Sequence, residues 1–97
     1  MKNYRLTSPA LTELKEASLR YEEKEAGLGL AFMDEVDATI DRILANPVAW
    51  HPLSPRARRC RTHRFPFGLI YYIRPDEILI VSVMDLRRDP ASWRHLL

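Results

Sequence analysis

Ninety-seven residues can enclose one hydrophobic core but not two, so the chain is expected to be a single domain spanning 1–97. With 46% hydrophobic and 29% charged residues it reads as globular, and its longest uncharged apolar stretch, Phe65–Ile73, is too short to cross a bilayer. The net charge of +2 conceals an asymmetry: residues 1–50 carry 6 basic and 9 acidic side chains, whereas residues 51–97 carry 9 Arg and 4 acids, so the second half should attract nucleic acid or an acidic protein segment.

The opening Met1-Lys2-Asn3-Tyr4-Arg5-Leu6-Thr7 lacks the apolar core of a secretory leader, which makes a cytoplasmic location the expectation and leaves no role for a membrane. Alternation over Tyr4–Thr7 suits a short first strand. Ser8-Pro9 then announces a helix over about Pro9 to Glu25, with Ser8 as its cap and Pro9 at the first helical position. Leu11, Leu14, Ala17 or Ser18, and Tyr21 form the inward stripe; Glu13, Lys15, Glu16 and Arg20 are assigned to water. Gly27 is placed to end this helix. A second helix follows, with Leu28, Phe32, Val36, Ile40 and Ile43-Leu44 at helical spacing, until Asn46-Pro47 stops it. Two amphipathic helices so closely joined pack as an antiparallel hairpin.

Asn46 to Pro55, with three prolines around Trp50 and His51, reads as a crossing loop, and Trp50 as an anchor packed on the helices. Ala57–Arg64 alternates but carries so much charge that an edge position is expected. Its lone Cys60 cannot form an internal disulfide and has no companion ligands, so neither a metal nor a cofactor is expected. The runs Phe67–Ile73 and Ile78–Met84, joined by Arg74-Pro75-Asp76-Glu77, are a hairpin of two buried strands. Leu69, Tyr71 and Ile73 fall on one face, Ile70 and Tyr72 on the other, so both faces need cover. Asp89-Pro90 opens a short helical tail anchored by Trp93. The layout is α+β, in the order β-α-α-β-β-β with a C-terminal helical turn.

The string Phe65-Pro66-Phe67-Gly68-Leu69-Ile70-Tyr71-Tyr72, followed by Ile78–Val83 and by Arg87-Arg88-Asp89-Pro90-Ala91-Ser92-Trp93, resembles the C-terminal half of ParE/RelE-superfamily toxins of bacterial toxin–antitoxin pairs, the ParE-like branch above all. The helical N-terminal half is similar in layout. The resemblance implies a mostly antiparallel sheet with the helical hairpin across one face. It also implies a cognate antitoxin seated on the sheet face and edge that the hairpin leaves open, and DNA gyrase as the target, blocked by binding. The surface assigned to antitoxin or target is Arg58, Arg59, Arg61, Arg64, Tyr72, Arg87, Arg88 and Trp93.

The alternative is a RelE-type endoribonuclease that cuts messenger RNA on the ribosome. That reaction needs a base for the ribose 2′-OH, an acid for the leaving oxygen and cations around the phosphate. The candidates are His63, Arg61 and Arg87, with Arg64 and Arg88 beside them; arginine can hold phosphate but does not act as a base. His63 alone in this set belongs to a residue type that titrates near neutrality. Many relatives carry His where this sequence has Asp85, which removes one proton carrier. Of Arg87 and Arg88, one is expected to be structural and the other exposed.

Overall fold

The two apolar runs pair with each other, and the remaining elements are laid around them. A computed structural model describes residues 3–97; Met1 and Lys2, which open the stretch read as lacking a leader, lie outside the described residues. In chain order the elements are β1 (Asn3–Leu6), α1 (Ser8–Lys24), α2 (Leu28–Ala45), β2 (His51–Pro52), β3 (Ala57–Arg61), β4 (Phe67–Ile73), β5 (Glu77–Asp85) and two 3-10 turns, Pro90–Ser92 and Arg94–Leu96. The sheet order is β1-β5-β4-β3-β2. All pairings are antiparallel except that of β1 with β5, so the α+β, mostly antiparallel architecture expected from the sequence is the one observed.

The α1 cap is Thr7, whose side chain accepts from the Ala10 N–H, and not Ser8, which is already helical. Both residues are competent caps; the difference is that Thr7 keeps the extended backbone of the strand it ends. The seam of α1 is Ala10, Leu14, Ala17 and Tyr21, with Leu11 instead 42% exposed. Gly27 adopts the left-handed conformation expected of it (φ +89°) but serves as the residue before α2, while Glu25 ends α1 in an extended conformation. Gly29 sits where the helices touch: a Cβ there would lie 2.6 Å from the Ser18 carbonyl oxygen.

The two sheet faces bury two separate clusters. Leu69, Tyr71, Ile78, Ile80 and Val83 meet Phe32, Val36, Ile40 and Ile43 of α2 and the inner seam of α1. Tyr21, Phe32, Phe65 and Phe67 gather there with ring centroids between 4.9 and 6.2 Å apart, mostly edge to face. On the far face Ala57, Ile70, Leu79, Val81 and Met84 lie under Leu53, Tyr72, Leu86, Trp93, Leu96 and Leu97. The face expected to remain open for a partner is thus roofed by the chain's own C-terminal tail.

Two further expectations need correction. The crossing loop contains a two-residue strand, His51–Pro52, which pairs with Arg58 and Arg59 of β3. In addition β3 ends at Arg61, not Arg64, because Thr62 turns to bond Phe65 and Phe67 carbonyls and Arg64 takes a positive φ of 72°. Trp50 is half-buried against the helical cluster, its indole N–H on the Arg42 carbonyl, as an anchor should be. No helix among the described residues is long and apolar enough to cross a membrane.

Candidate functional site

The arginines of the second half divide by what holds them. Arg58 donates to the Val48 and Trp50 carbonyls, at 3.1 and 2.8 Å, and so ties the crossing loop to β3. Arg56 lies over the Tyr72 ring, 4.7 Å from its centroid, and reaches the Leu97 carbonyl. Arg87 forms a two-pronged pair with Asp85, at 3.0 and 2.8 Å, which holds the Asp85 carboxyl below its ordinary range. The Arg64 guanidinium rests on Phe65. Arg59, Arg61 and Arg88 carry no ion pair among the described residues. Arg59 lays its stem across Gly68, where an added Cβ would stand 3.0 Å from Arg59 Cγ, and its Nε is buried without a partner. Of the two adjacent arginines, Arg87 is the tied one.

The loop between β3 and β4 is pinned from below. Glu35 of α2 accepts from the His63 backbone N–H, from Thr39 Oγ1 at 3.3 Å and from Arg42 at 3.2 Å, while Arg42 also donates to the Arg61 carbonyl. Desolvation alone would raise the Glu35 carboxyl, but the bonds from His63 and Arg42 outweigh it and hold it below its ordinary value. This carboxylate is a structural tie. Cys60 is buried nearby and its thiol is pushed up by burial, the opposite of what a reactive cysteine needs.

His63 is exposed, and no hydrogen bond or ion pair among the described residues joins its imidazole to Arg61 or Arg87. Tyr71 is fully buried with its hydroxyl on the Pro47 carbonyl, and burial pushes its pKa up. Tyr72 donates to the Leu96 carbonyl at 2.6 Å and so holds the tail. Among the described residues no group of three or more His, Cys, Asp or Glu could hold a metal ion.

What the geometry does offer is a half-open strand. β1 covers only Glu77–Ile80 of β5, after which the chain leaves at Thr7 for α1. Along the rest of β5 runs a groove of about 590 Å³ between α1 and the tail, lined by Glu13, Arg20, Phe67, Val81 to Asp85, Arg88, Trp93 and Leu96 among others. Arg88 and Trp93 of the expected contact set come together here, whereas Arg58, Arg59, Arg61, Arg64, Tyr72 and Arg87 do not line it. Glu13 was read as solvated. Its carboxylate instead accepts from the Val83 N–H at 3.0 Å and from Ser82 Oγ at 2.9 Å. Its position one turn before Ala17 on the β5 side of α1 is a signal only once the sheet order is known.

The arrangement is a toxin fold. It superposes on a chain of the chromosomal ParDE TA system from P. aeruginosa with a TM-score of 0.78, covering 90% of this chain and 98% of that one at 19% sequence identity. No curated protein matches. Residues 4–90 match the model of the family described as ParE toxin of type II toxin-antitoxin system, parDE, and the chain belongs to that family.

Proposed function

We propose that this ParE-family chain acts in the cytoplasm by binding DNA gyrase and blocking it, and that a cognate antitoxin keeps it inactive by occupying the groove beside β5. The observation that carries this reading is the family match over residues 4–90. That no hydrogen bond or ion pair among the described residues links His63 to Arg61 or Arg87 supports occlusion over chemistry, because cleavage of RNA requires a base and an acid converging on one phosphate. Arg59, Arg61 and Arg88, which carry no ion pair among the described residues, supply positive charge for target or antitoxin, together with Arg64 and Trp93. Arg58 and Tyr72 serve this surface indirectly, by holding the crossing loop and the tail, and Arg87 by its pair with Asp85.

The same unpaired arginines are what a ribosome-dependent messenger-RNA nuclease would use to hold phosphate, which keeps that second reading in view. Expression of the chain with and without the protein encoded beside it tests the first. Growth should stop with the chain alone and resume when the neighbour is co-expressed, and His63→Ala should arrest growth as fully as the parent. Loss of arrest in the His63→Ala chain, with its fold intact, would favour the nuclease.

A further inference from the structure

We propose that Glu13 is a displaceable stand-in for a missing strand: its carboxylate fills the open half of β5 in the free toxin and yields to an extended segment of the antitoxin that pairs with Val83 and Asp85. This rests on the toxin–antitoxin reading above.

The register of the sheet defines the vacancy. Gly68 faces Met84 and Ile70 faces Ser82, and the Leu86 N–H runs to the Pro66 carbonyl, so the even-numbered residues at this end of β5 direct their main-chain groups at β4. The N–H and C=O of Val83 and the N–H of Asp85 therefore point the other way, where β1 has already ended. A register shift beside Ile70 and Tyr71 accompanies the change. Thr7 serves the start of the gap, its N–H on the Ile80 carbonyl and its hydroxyl 3.5 Å from the Val81 carbonyl. Glu13 serves the next position, accepting from Val83 as the carbonyl of a neighbouring strand would. A side-chain carboxylate at an open edge satisfies the donor and places a charge against unwanted pairing.

The chemistry that completes such an edge is another peptide backbone. The groove also specifies the side chains. Val81, Met84, Trp93 and Leu96 offer an apolar wall to alternate residues of the segment. Arg20 and Arg88, neither ion-paired among the described residues, line the same groove, and the Arg88 N–H bonds the Asp85 carbonyl at 3.1 Å. An acidic residue near the Asp85 end of the segment would meet them. For main-chain pairing to reach Val83, the Glu13 carboxylate must leave.

The test uses the purified toxin and the antitoxin encoded beside it. In the complex, the amides of Val83 and Asp85 should exchange hydrogen much more slowly than in the free toxin. Glu13→Ala, which removes the competitor, should bind the antitoxin roughly three- to tenfold more tightly, the scale of one net hydrogen bond. Glu13→Gln, which keeps a weaker neutral acceptor and protects against loss of fold, should fall between the two. A complex in which the Asp85 amide exchanges as before, or in which Glu13→Ala binds equally or more weakly, overturns the inference and leaves the toxin reading standing. No complex at all overturns both.

Discussion

Tyr71 and Tyr72 are consecutive on β4, yet their hydroxyls fasten opposite layers of the molecule: Tyr71 donates to the Pro47 carbonyl after α2, and Tyr72 to the Leu96 carbonyl in the tail. Removing either hydroxyl should therefore have different consequences. Tyr71→Phe leaves a carbonyl unserved beside the main core and should cost about 1–2 kcal/mol in denaturant unfolding. Tyr72→Phe should change global stability by less than about 1 kcal/mol. It should instead loosen the tail, seen as faster proteolytic clipping between Asp89 and Leu97. Equal clipping of both variants would refute this division.

Glu35 binds the basic loop to α2, and its loss should be felt there. Glu35→Ala leaves Arg42 without its carboxylate and His63 N–H without its acceptor, and should cost about 2 kcal/mol. The pH dependence follows from the lowered folded-state values of Glu35 and Asp85. A depressed carboxyl contributes stability that is fully present above its unfolded value, about 4. That contribution fades as pH falls through the lower folded value. Tm should thus drop as pH is taken below about 4, and the combined Glu35→Gln, Asp85→Asn chain should show a shallower drop.

Gly29→Ala tests the helix contact. The new methyl would meet the Ser18 carbonyl oxygen at 2.6 Å, so the hairpin must spread. Although alanine is the better helix former, the substitution should destabilise by about 1–3 kcal/mol. A gain in Tm would mean that the helices yield freely.

Charge reversal at Arg59 and Arg61 probes the positive surface. The Arg59→Glu, Arg61→Glu chain should bind antitoxin or target more weakly, with most of the loss in association rate and shrinking as salt is raised. Affinity measured at two salt concentrations and found unchanged from the parent would remove these residues from the contact.

Much of this architecture is written in local pattern. The β4–β5 hairpin was legible because two apolar runs flank a Pro-Asp turn, and both helices lie within a residue or two of where periodicity puts them. The opposite facing of Tyr71 and Tyr72 follows from strand geometry alone. What sequence could not supply was long-range placement. The parallel docking of β1 on β5 depends on a pairing more than 70 residues apart. Only that placement opens the edge at Val83 and turns Glu13 from a surface carboxylate into its cap. Glu35 is illegible for the same reason: its partner His63, and the Arg61 carbonyl reached by the neighbouring Arg42, come from another layer. The basic run 58–64 looked like one charged strand, whereas packing divides it into a loop tie, an aromatic stack and free cations.

The measurement that bears most directly on the central claim is a gyrase supercoiling assay with the purified, antitoxin-free chain, run beside ribosome-dependent messenger-RNA cleavage under the same conditions. Loss of supercoiling with intact RNA is the result expected of a toxin that works by occlusion. RNA cleavage with supercoiling unimpaired would contradict it and turn attention to His63 and the arginines around it.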